Sequence, residues 1–292
     1  MTIWGRIRQL LEMIKFEHTI FALPFALISV ILAARDLPGG TPSGRTLFWV
    51  LLAMVGARSA AMAFNRLVDA DIDSKNPRTA TRHIPAGVLS RVQVTLFLLF
   101  ATALFLFSAW ELNSLCLYLS PIALFFLFGY SYTKRFTALC HFALGFAIGL
   151  APVGAWVAVQ GSFHLIPLLL ALAVMLWIGG FDIIYALQDY DFDSQQERLF
   201  SIPKRLGKVR ALLLSRIMHC LMILILLMVG ILFGLHLFYF VGVGVVALLI
   251  TWEQSLVKPN DLSRVNLAFF TLNGWVSVSL FLFVLLDRYL LK

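Results

Sequence analysis

Long apolar segments separated by shorter polar ones dominate the chain. They predict nine membrane-crossing helices, at residues 19–34, 47–65, 94–110, 114–132, 139–159, 165–187, 211–233, 236–252 and 267–286. The longer segments reach the roughly 20 apolar residues that a helical span needs. Strands of a membrane barrel would be shorter and would alternate between apolar and polar residues. The pattern therefore predicts an all-α, polytopic membrane protein.

The first residues follow a different pattern. Residues 3–17 (IWGRIRQLLEMIKFE) are amphipathic, because Arg6, Arg8 and Lys15 are interleaved with apolar residues. This is typical of a helix that lies on the membrane surface. No small-residue cleavage site follows the first apolar stretch, so a removable signal peptide is not expected.

The composition excludes the soluble classes of protein. Of the 292 residues, 61% are hydrophobic and 13% are charged, whereas soluble domains have about 45–50% and about 25%. The lipid bilayer is therefore an expected partner. The three cysteines, Cys116, Cys140 and Cys220, have no metal-binding spacing, and we expect them to be buried apolar residues.

The basic residues predict the orientation in the membrane. With the N-terminus inside, 17 of the 23 Lys and Arg residues fall on the cytoplasmic side and four fall outside. Because basic residues collect in cytoplasmic loops, this distribution predicts a cytoplasmic N-terminus in a bacterial-type plasma membrane, and no nucleic-acid partner. One domain is expected over residues 1–292. Its long cytoplasmic loops, 66–93 and 188–210, are expected to be functional.

Two acidic motifs lie at the cytoplasmic ends of predicted helices. In the first motif, Asn65, Asp69 and Asp73 are spaced by four residues and share one helix face. Asp189 and Asp193 repeat this spacing in the second motif. Mg²⁺ prefers oxygen ligands and is typically bound by one or two carboxylates together with substrate phosphates. The pair of motifs predicts an Mg²⁺–diphosphate site, although either motif alone could be an ordinary solvated helix end.

Basic residues near the same ends could bind the remaining diphosphate oxygens. Arginine in particular can bind phosphate through two parallel hydrogen bonds. The candidates lie at the end of the fourth predicted span and in the two long loops: Tyr130, Lys134, Arg135, Arg82 and Lys204. The alternative is that these side chains only extend from span ends toward the membrane surface.

Two charged residues lie inside predicted spans. Arg58 precedes Asn65 by seven residues and Asp182 precedes Asp189 by seven, which is nearly two helical turns. Ionisable residues within a membrane are candidates for function, and an Arg58–Asp182 ion pair is the structural alternative. The six histidines show no ligand spacing and are interpreted as structural. Gly145-xxx-Gly149 and Gly179-Gly180 indicate close helix packing.

These motifs resemble those of the UbiA superfamily of membrane aromatic prenyltransferases. The matching segments are KFEHTIFALPFA at 15–26, RSAAMAFNRLVDADID at 58–73, NPRTATRHIPAG at 76–87, YSYTKRFT at 130–137 and DIIYALQDYDFDSQQ at 182–196. The resemblance implies nine helices and a cytoplasm-facing cavity capped by the two long loops. It also implies Mg²⁺-dependent transfer of a polyprenyl group from polyprenyl diphosphate to an aromatic acid.

The resemblance also implies roles for individual residues. The metal and diphosphate motifs of the family fall on Asn65, Asp69, Asp73, Asp189 and Asp193, and its YxxxK element falls on Tyr130 and Lys134. Arg58 matches the arginine linked to the carboxylate of the aromatic acid, and we assign Asp182 to the same substrate.

The segment at 139–161, LCHFALGFAIGLAPVGAWVAVQG, departs from the 4-hydroxybenzoate enzymes of ubiquinone synthesis. It is similar to a subgroup labelled 4-hydroxybenzoate polyprenyltransferase-like, some members of which serve menaquinone synthesis by the futalosine route. The acceptor is therefore 4-hydroxybenzoate or a dihydroxynaphthoate. Asp191 lies off the metal-facing stripe and is the candidate base for the ring proton. The alternatives are a transporter of an anionic substrate and a prenyltransferase acting on a non-aromatic acceptor.

Overall fold

The computed structural model describes residues 3–15 and 19–290, and most of these residues are helical. We number its α-helices in chain order: α1 Ile3–Met13, α2 Thr19–Ala33, α3 Gly44–Asp73, α4 Arg91–Leu112, α5 Ser114–Thr133, α6 Cys140–Gln160, α7 Leu165–Ala186, α8 Tyr190–Gln195, α9 Ile202–Phe233, α10 Leu237–Leu256 and α11 Asn273–Leu290. A π-helix, Leu267–Leu272, leads into α11. The described residues form no β-strand, only one isolated bridge.

Each of the nine predicted spans corresponds to a helix, but their lengths differ. Within the described part of the chain, eight helices are long and apolar enough to cross a membrane. The ninth, α2, has 15 residues and is only about 22 Å long at 1.5 Å per residue. The hydrocarbon core is about 30 Å thick, so nine is an approximate number of spans. Much of α2 is buried against α6 and α11.

The two polar segments are shorter as loops than predicted. Helix α3 continues to Asp73 rather than ending near residue 65, and a turn at Ser74 and Lys75 leads to Asn76 and Pro77. Proline disfavours a helical conformation in the residue before it. In the second segment, α8 and the first turns of α9 are helical. Gly207 breaks the regular course of α9 with a φ of 77°, a conformation that glycine adopts without strain.

Small residues allow close packing of α6 on α7 and of α7 on α9. A Cβ atom added at Gly145 would collide with the backbone of Met175, and one at Gly149 would collide with that of Ala171. At Gly179 and Gly180 it would collide with the side chains of Met218 and His219. The prediction of close packing at these four glycines is confirmed.

Helix α1 confirms the predicted N-terminal helix as far as Met13, and residues 16–17 of the prediction lie outside the described residues. Met13 on its inner face, and Ile14 directly after it, pack against α3, α4 and the segment that joins them. Its outer face exposes Trp4, Ile7 and Leu11. That outer face has the apolar character of a helix at a membrane surface.

The cysteines differ from the prediction that all three are buried. Cys116 and Cys140 are half-buried and Cys220 is exposed, and none forms a disulfide. Cys220 lies on α9 among exposed leucines of a membrane-spanning helix. An apolar side chain at such a position contacts lipid, so an apolar sequence context did not mean burial within the protein.

Candidate active site

The first acidic motif lies on the last turns of α3 at the end of the bundle where α3, α5 and α7 finish, which we call the site end. Asn65 donates a hydrogen bond through Nδ2 to Asp69 Oδ2 over 2.8 Å. Asp69 and Asp73 are buried, with exposed fractions of 2% and 4%. A buried carboxylate without partners would be costly, so the donors around these two side chains decide whether the arrangement is stable.

Two basic side chains from the end of α5 contact Asp69. Lys134 Nζ lies 2.7 Å from Asp69 Oδ2, and Arg135 Nη2 lies 3.4 Å from Oδ1. Arg135 also donates to the backbone oxygens of Val68 and Ser131. The predicted Lys134 and Arg135 are therefore brought onto the first acidic motif, and they join α5 to α3.

The connection between α3 and α4 supplies the partner of Asp73. Arg82 Nη1 lies 2.8 Å from both carboxylate oxygens of Asp73. Thr79 donates through its hydroxyl to the backbone oxygen of Asp73. These contacts fold the polar segment back over the end of α3.

The second acidic motif does not lie on one continuous α-helix. A 3₁₀ turn, Leu187–Asp189, separates α7 from α8. Arg78 donates two hydrogen bonds to Asp189, from Nε to Oδ1 at 2.8 Å and from Nη2 to Oδ2 at 2.5 Å. Asn76 Nδ2 donates to Asp189 Oδ1 over 2.8 Å. The segment that follows the first motif is thus tied to the first carboxylate of the second motif.

The setting of Arg78 favours its charged form. Burial by itself would lower the pKa of Arg78, but the hydrogen bonds and negative charge of Asp189 outweigh this and raise the pKa. Arg78 also donates to the hydroxyl of Tyr185, and its guanidinium lies over the Tyr185 ring at 5.1 Å. This combination orients a permanent positive charge inside the site.

The other predicted site residues lie at varying distances from this centre. Asp193 is half-buried on α8 and within electrostatic range of Asp189 and Lys134. Asp191 is exposed on the same short helix. Lys204 donates to the backbone oxygens of Gln196 and Leu199. These bonds close the second polar segment by tying the start of α9 to the residues that follow α8.

The donor set agrees chemically with Mg²⁺. The acidic motifs offer only carboxylate and amide oxygens, which are the ligands that this ion prefers. Among residues 3–15 and 19–290, however, no three His, Cys, Asp or Glu side chains are close enough to hold a metal ion together. Instead Arg78, Arg82 and Lys134 occupy the carboxylates of Asp189, Asp73 and Asp69. Since Mg²⁺ commonly takes one or two carboxylates and completes its shell with phosphate oxygens, the residues fit an ion that binds together with a diphosphate.

An apolar cavity of about 220 Å³ lies beside the first motif and extends into the bundle. Those of its lining residues that the structure describes come from α2 to α6, and Arg58 and Tyr130 lie at its site end. Leu112, Cys116 and Ala158 line the opposite end. Along α5, the lining residues run from Cys116 to Tyr130, a distance of about 21 Å on a straight helix.

Arg58 lines this cavity as well as contacting the chain that follows α1. Its guanidinium donates to the backbone oxygens of Ile14 at 3.1 Å and Lys15 at 3.0 Å. Asp182 is not the partner of Arg58, because its Oδ2 lies 2.7 Å from Nδ1 of His141. The structural alternative of an Arg58–Asp182 ion pair is therefore wrong.

Sequence reasoning did not single out Asn76, Arg78 and His141. Asn76 and Arg78 stand in the polar segment after the first motif, where Arg78 and Arg82 share the four-residue spacing of the acids on α3. That spacing was an available signal. His141 was interpreted as structural because no other histidine lies at ligand spacing. Its contact with Asp182 joins residues 41 positions apart, so the sequence gives no local signal for it.

Comparisons with known proteins agree with this architecture. The model of the UbiA prenyltransferase family matches residues 22–275. The 4-hydroxybenzoate octaprenyltransferase of Xanthomonas campestris pv. campestris (strain B100) is 32% identical over 255 residues, which are 83% of this chain and 80% of that protein.

Solved structures show the same fold. The apo structure of a UbiA homologue from Aeropyrum pernix K1 has a TM-score of 0.84 and 34% identity, covering 93% of this chain and 98% of that one. A UbiA homologue from Archaeoglobus fulgidus, bound to DMAPP and Mg²⁺, has a TM-score of 0.72 and 18% identity, with 96% of this chain and 99% of that one covered.

Proposed function

Because the chain belongs to the UbiA prenyltransferase family, we propose that it transfers a polyprenyl group from polyprenyl diphosphate to an aromatic acid, with 4-hydroxybenzoate as the first candidate acceptor. The observation that carries this proposal is the meeting of two acidic motifs and their basic partners beside a deep apolar cavity. An anionic head and a long apolar tail are the two chemical halves of a polyprenyl diphosphate.

The diphosphate would bind where the basic side chains now contact the acids. Asn65, Asp69, Asp73, Asp189 and Asp193 would hold Mg²⁺, in agreement with the Mg²⁺ and DMAPP bound by the Archaeoglobus fulgidus homologue. The chemistry supplied by the bound ion would be neutralisation of the charge on diphosphate as the allylic C–O bond breaks.

The basic residues have a second task once diphosphate is present. Lys134, Arg135, Arg82 and Arg78 can each donate to phosphate oxygens, and Tyr130 lines the cavity at its site end. Lys204, which closes the second polar segment, would join them only after that segment moves. Preorganised donors of this kind stabilise the negative charge that develops on the leaving group.

The prenyl chain would occupy the apolar cavity. The part of its wall that the structure describes consists almost entirely of aliphatic and aromatic side chains, which suit an isoprenoid chain. Burial of this tail removes a large apolar surface from water. The cavity also keeps water away from the allylic cation, which water would otherwise trap as an alcohol.

The aromatic acid would bind between the diphosphate and the cavity. Arg58 lines the cavity at this level and can pair with a carboxylate in a bidentate manner. Asp182 is half-buried at the end of α7, whereas Asp191 is exposed on α8. Asp182 is therefore better placed than Asp191 to accept the proton that leaves the ring.

The alternatives differ in how well the site supports them. A dihydroxynaphthoate is the second candidate acceptor, because the α6 segment departs from that of the ubiquinone enzymes. A transporter of anions is not favoured, since the acidic motifs lie at one end of the helices whereas transporter sites lie near the midplane. The proposed cytoplasmic orientation of the site follows from the positive-inside distribution.

A direct assay tests the function. The protein is purified in detergent and supplied with Mg²⁺, a polyprenyl diphosphate and either 4-hydroxybenzoate or a dihydroxynaphthoate, and the products are identified by mass spectrometry. We expect a prenylated acid from one of the two acceptors. Absence of product with both, from folded protein, would refute aromatic prenyl transfer.

A further inference from the structure

A buried histidine joins the beginnings or ends of three helices beside the site. His141 lies in the first turn of α6, and its side chain is 5% exposed. Its Nδ1 lies 2.7 Å from Asp182 Oδ2 near the end of α7, and its Nε2 accepts from the backbone nitrogen of Ile202 at the start of α9 over 3.3 Å.

These two contacts determine where the imidazole proton lies. A backbone N–H can only donate, so the Nε2 atom that faces Ile202 must carry a lone pair. The proton then sits on Nδ1 and is donated to Asp182. This assignment follows from the hydrogen-bond network. The result is an imidazole that holds one carboxylate oxygen in a fixed position.

The two oxygens of Asp182 have different surroundings. Oδ2 is held by His141, while Oδ1 makes no hydrogen bond to any residue that the structure describes. The side chain is 23% exposed although it belongs to a membrane-spanning helix. Tyr130, which lines the apolar cavity, is within electrostatic range of Asp182. Oδ1 is therefore left open as an acceptor, near the end of α7 and seven residues before Asp189 of the second acidic motif.

We propose that His141 is a positioning residue for loss of the ring proton, acting through Asp182. The inference rests on the proposed function. The C–O electron pair leaves with diphosphate, and the allylic carbon bonds to a ring carbon. The ring C–H bond then breaks, its electron pair restores aromaticity, and the proton moves to Asp182 Oδ1. The Nδ1–H of His141 stays in place and keeps that oxygen aimed at the ring.

Two substitutions separate this role from simple support of the fold. In H141Q, the amide NH₂ can still donate to Asp182 and the amide oxygen can still accept from Ile202, whereas H141L removes both contacts. We expect H141L to lower kcat by roughly 10- to 100-fold, as displacement of a reacting group does, with little change in either KM. H141Q should retain most of the wild-type kcat.

A kinetic isotope effect separates the two roles of His141, because a purely structural role would not change it. The acceptor is deuterated at the ring carbon that becomes prenylated. In H141L, loss of that deuteron should slow turnover relative to the protium acceptor, and more so than in the wild type. His219→Leu is the matched control, because His219 is also buried but contacts Trp177 and Gln254. It should lower thermal stability without enlarging the isotope effect.

The outcomes are distinct. Lack of wild-type product refutes the proposed function itself. With wild-type product present, an unchanged kcat in H141L overturns the role of His141, and so does a lower kcat without an enlarged isotope effect. If H141L is not recovered folded, H141N replaces it, since its shorter side chain cannot reach both partners, and the same outcomes apply.

Discussion

Asp69 and Asp71 stand two residues apart on α3 but in opposite settings. The Asp69 side chain is 2% exposed and contacts Lys134 and Arg135, while the Asp71 side chain is 81% exposed and pairs with Arg91. We expect Asp69→Asn to abolish prenyl transfer, because the amide keeps the shape but loses the charge that holds Mg²⁺. Asp71→Asn should leave turnover unchanged. Product formation by both variants at matched protein amounts is the measurement.

Removal of the metal gives the same site a second test. EDTA should stop the wild-type reaction, and added Mg²⁺ should restore it, because the diphosphate charge needs a counter-ion as the bond breaks. Full activity of Asp69→Asn, or of the wild type in EDTA, would contradict the metal role of the first motif.

The position of Arg58 predicts an effect on the binding of the aromatic acid alone. Replacing it by alanine should raise the KM for the aromatic acid roughly 10- to 100-fold, because a charge-assisted pair of about 1.5–3 kcal/mol is lost. The KM for polyprenyl diphosphate should change little, and Arg58→Lys should restore only part of the affinity. Steady-state kinetics with each substrate varied in turn measure both constants.

Two other results would assign a different role to Arg58. A higher KM for the diphosphate with an unchanged KM for the acid would make it a phosphate ligand. Loss of thermal stability with both constants unchanged would limit its role to contacts within the protein, such as those with Ile14 and Lys15.

At the scale of single residues, the sequence was informative where chemistry repeats locally. Asn65, Asp69 and Asp73 are spaced by four residues, and helix geometry then predicts directly that they share one face. The partners of the acids could not, because Arg78 and Asp189 are 111 positions apart and His141 and Asp182 are 41 apart. Such pairs form only through tertiary packing, and they leave no periodic signal in the chain.

Helix positions were predictable at the scale of elements, but several helix ends were not. The centre of each span follows from its apolar run. The last turns of α3 and the first turns of α9 are polar, and polar helical turns have the same composition as loops. Helix α3 ends at Asp73, three residues before Asn76, and a positive φ at Gly207 breaks the regular course of α9.

The packing of α6 on α7 gives a prediction at this scale. Gly145→Ala should destabilise the folded state by about 1–3 kcal/mol, as overpacking typically does, because the added methyl would collide with the backbone of Met175. Gly154→Ala, on the same helix with open space around its Cα, should be neutral or slightly stabilising. Thermal unfolding in one detergent compares them. Equal midpoints for the two variants would show that α6 and α7 separate easily.

The topology of the whole molecule can be tested by labelling. In a variant whose native cysteines are replaced, single cysteines are placed at the exposed positions Ser74 and Ser194, on the two polar segments, and at the exposed Ser162 between α6 and α7. The positive-inside distribution predicts that a membrane-impermeant maleimide reaches the first two only from the cytoplasmic face and Ser162→Cys only from outside. Labelling of the first two from opposite faces would separate the acidic motifs and contradict a shared site.

The apolar cavity and the largest buried hydrophobic cluster lie mainly in different parts of the helix bundle. The lining residues of the cavity that the structure describes belong to α2–α6. The largest buried cluster shares parts of α2 and α6 but consists mainly of α7 and α9–α11, with side chains such as Trp177 and Leu226. Residues that face empty space have few neighbours to disturb, so substitutions on the cavity wall cost less stability than those in a filled core. Under the proposed function, substitutions in the part of the chain that lines the cavity would adjust the accepted tail length, while the other part preserves the fold.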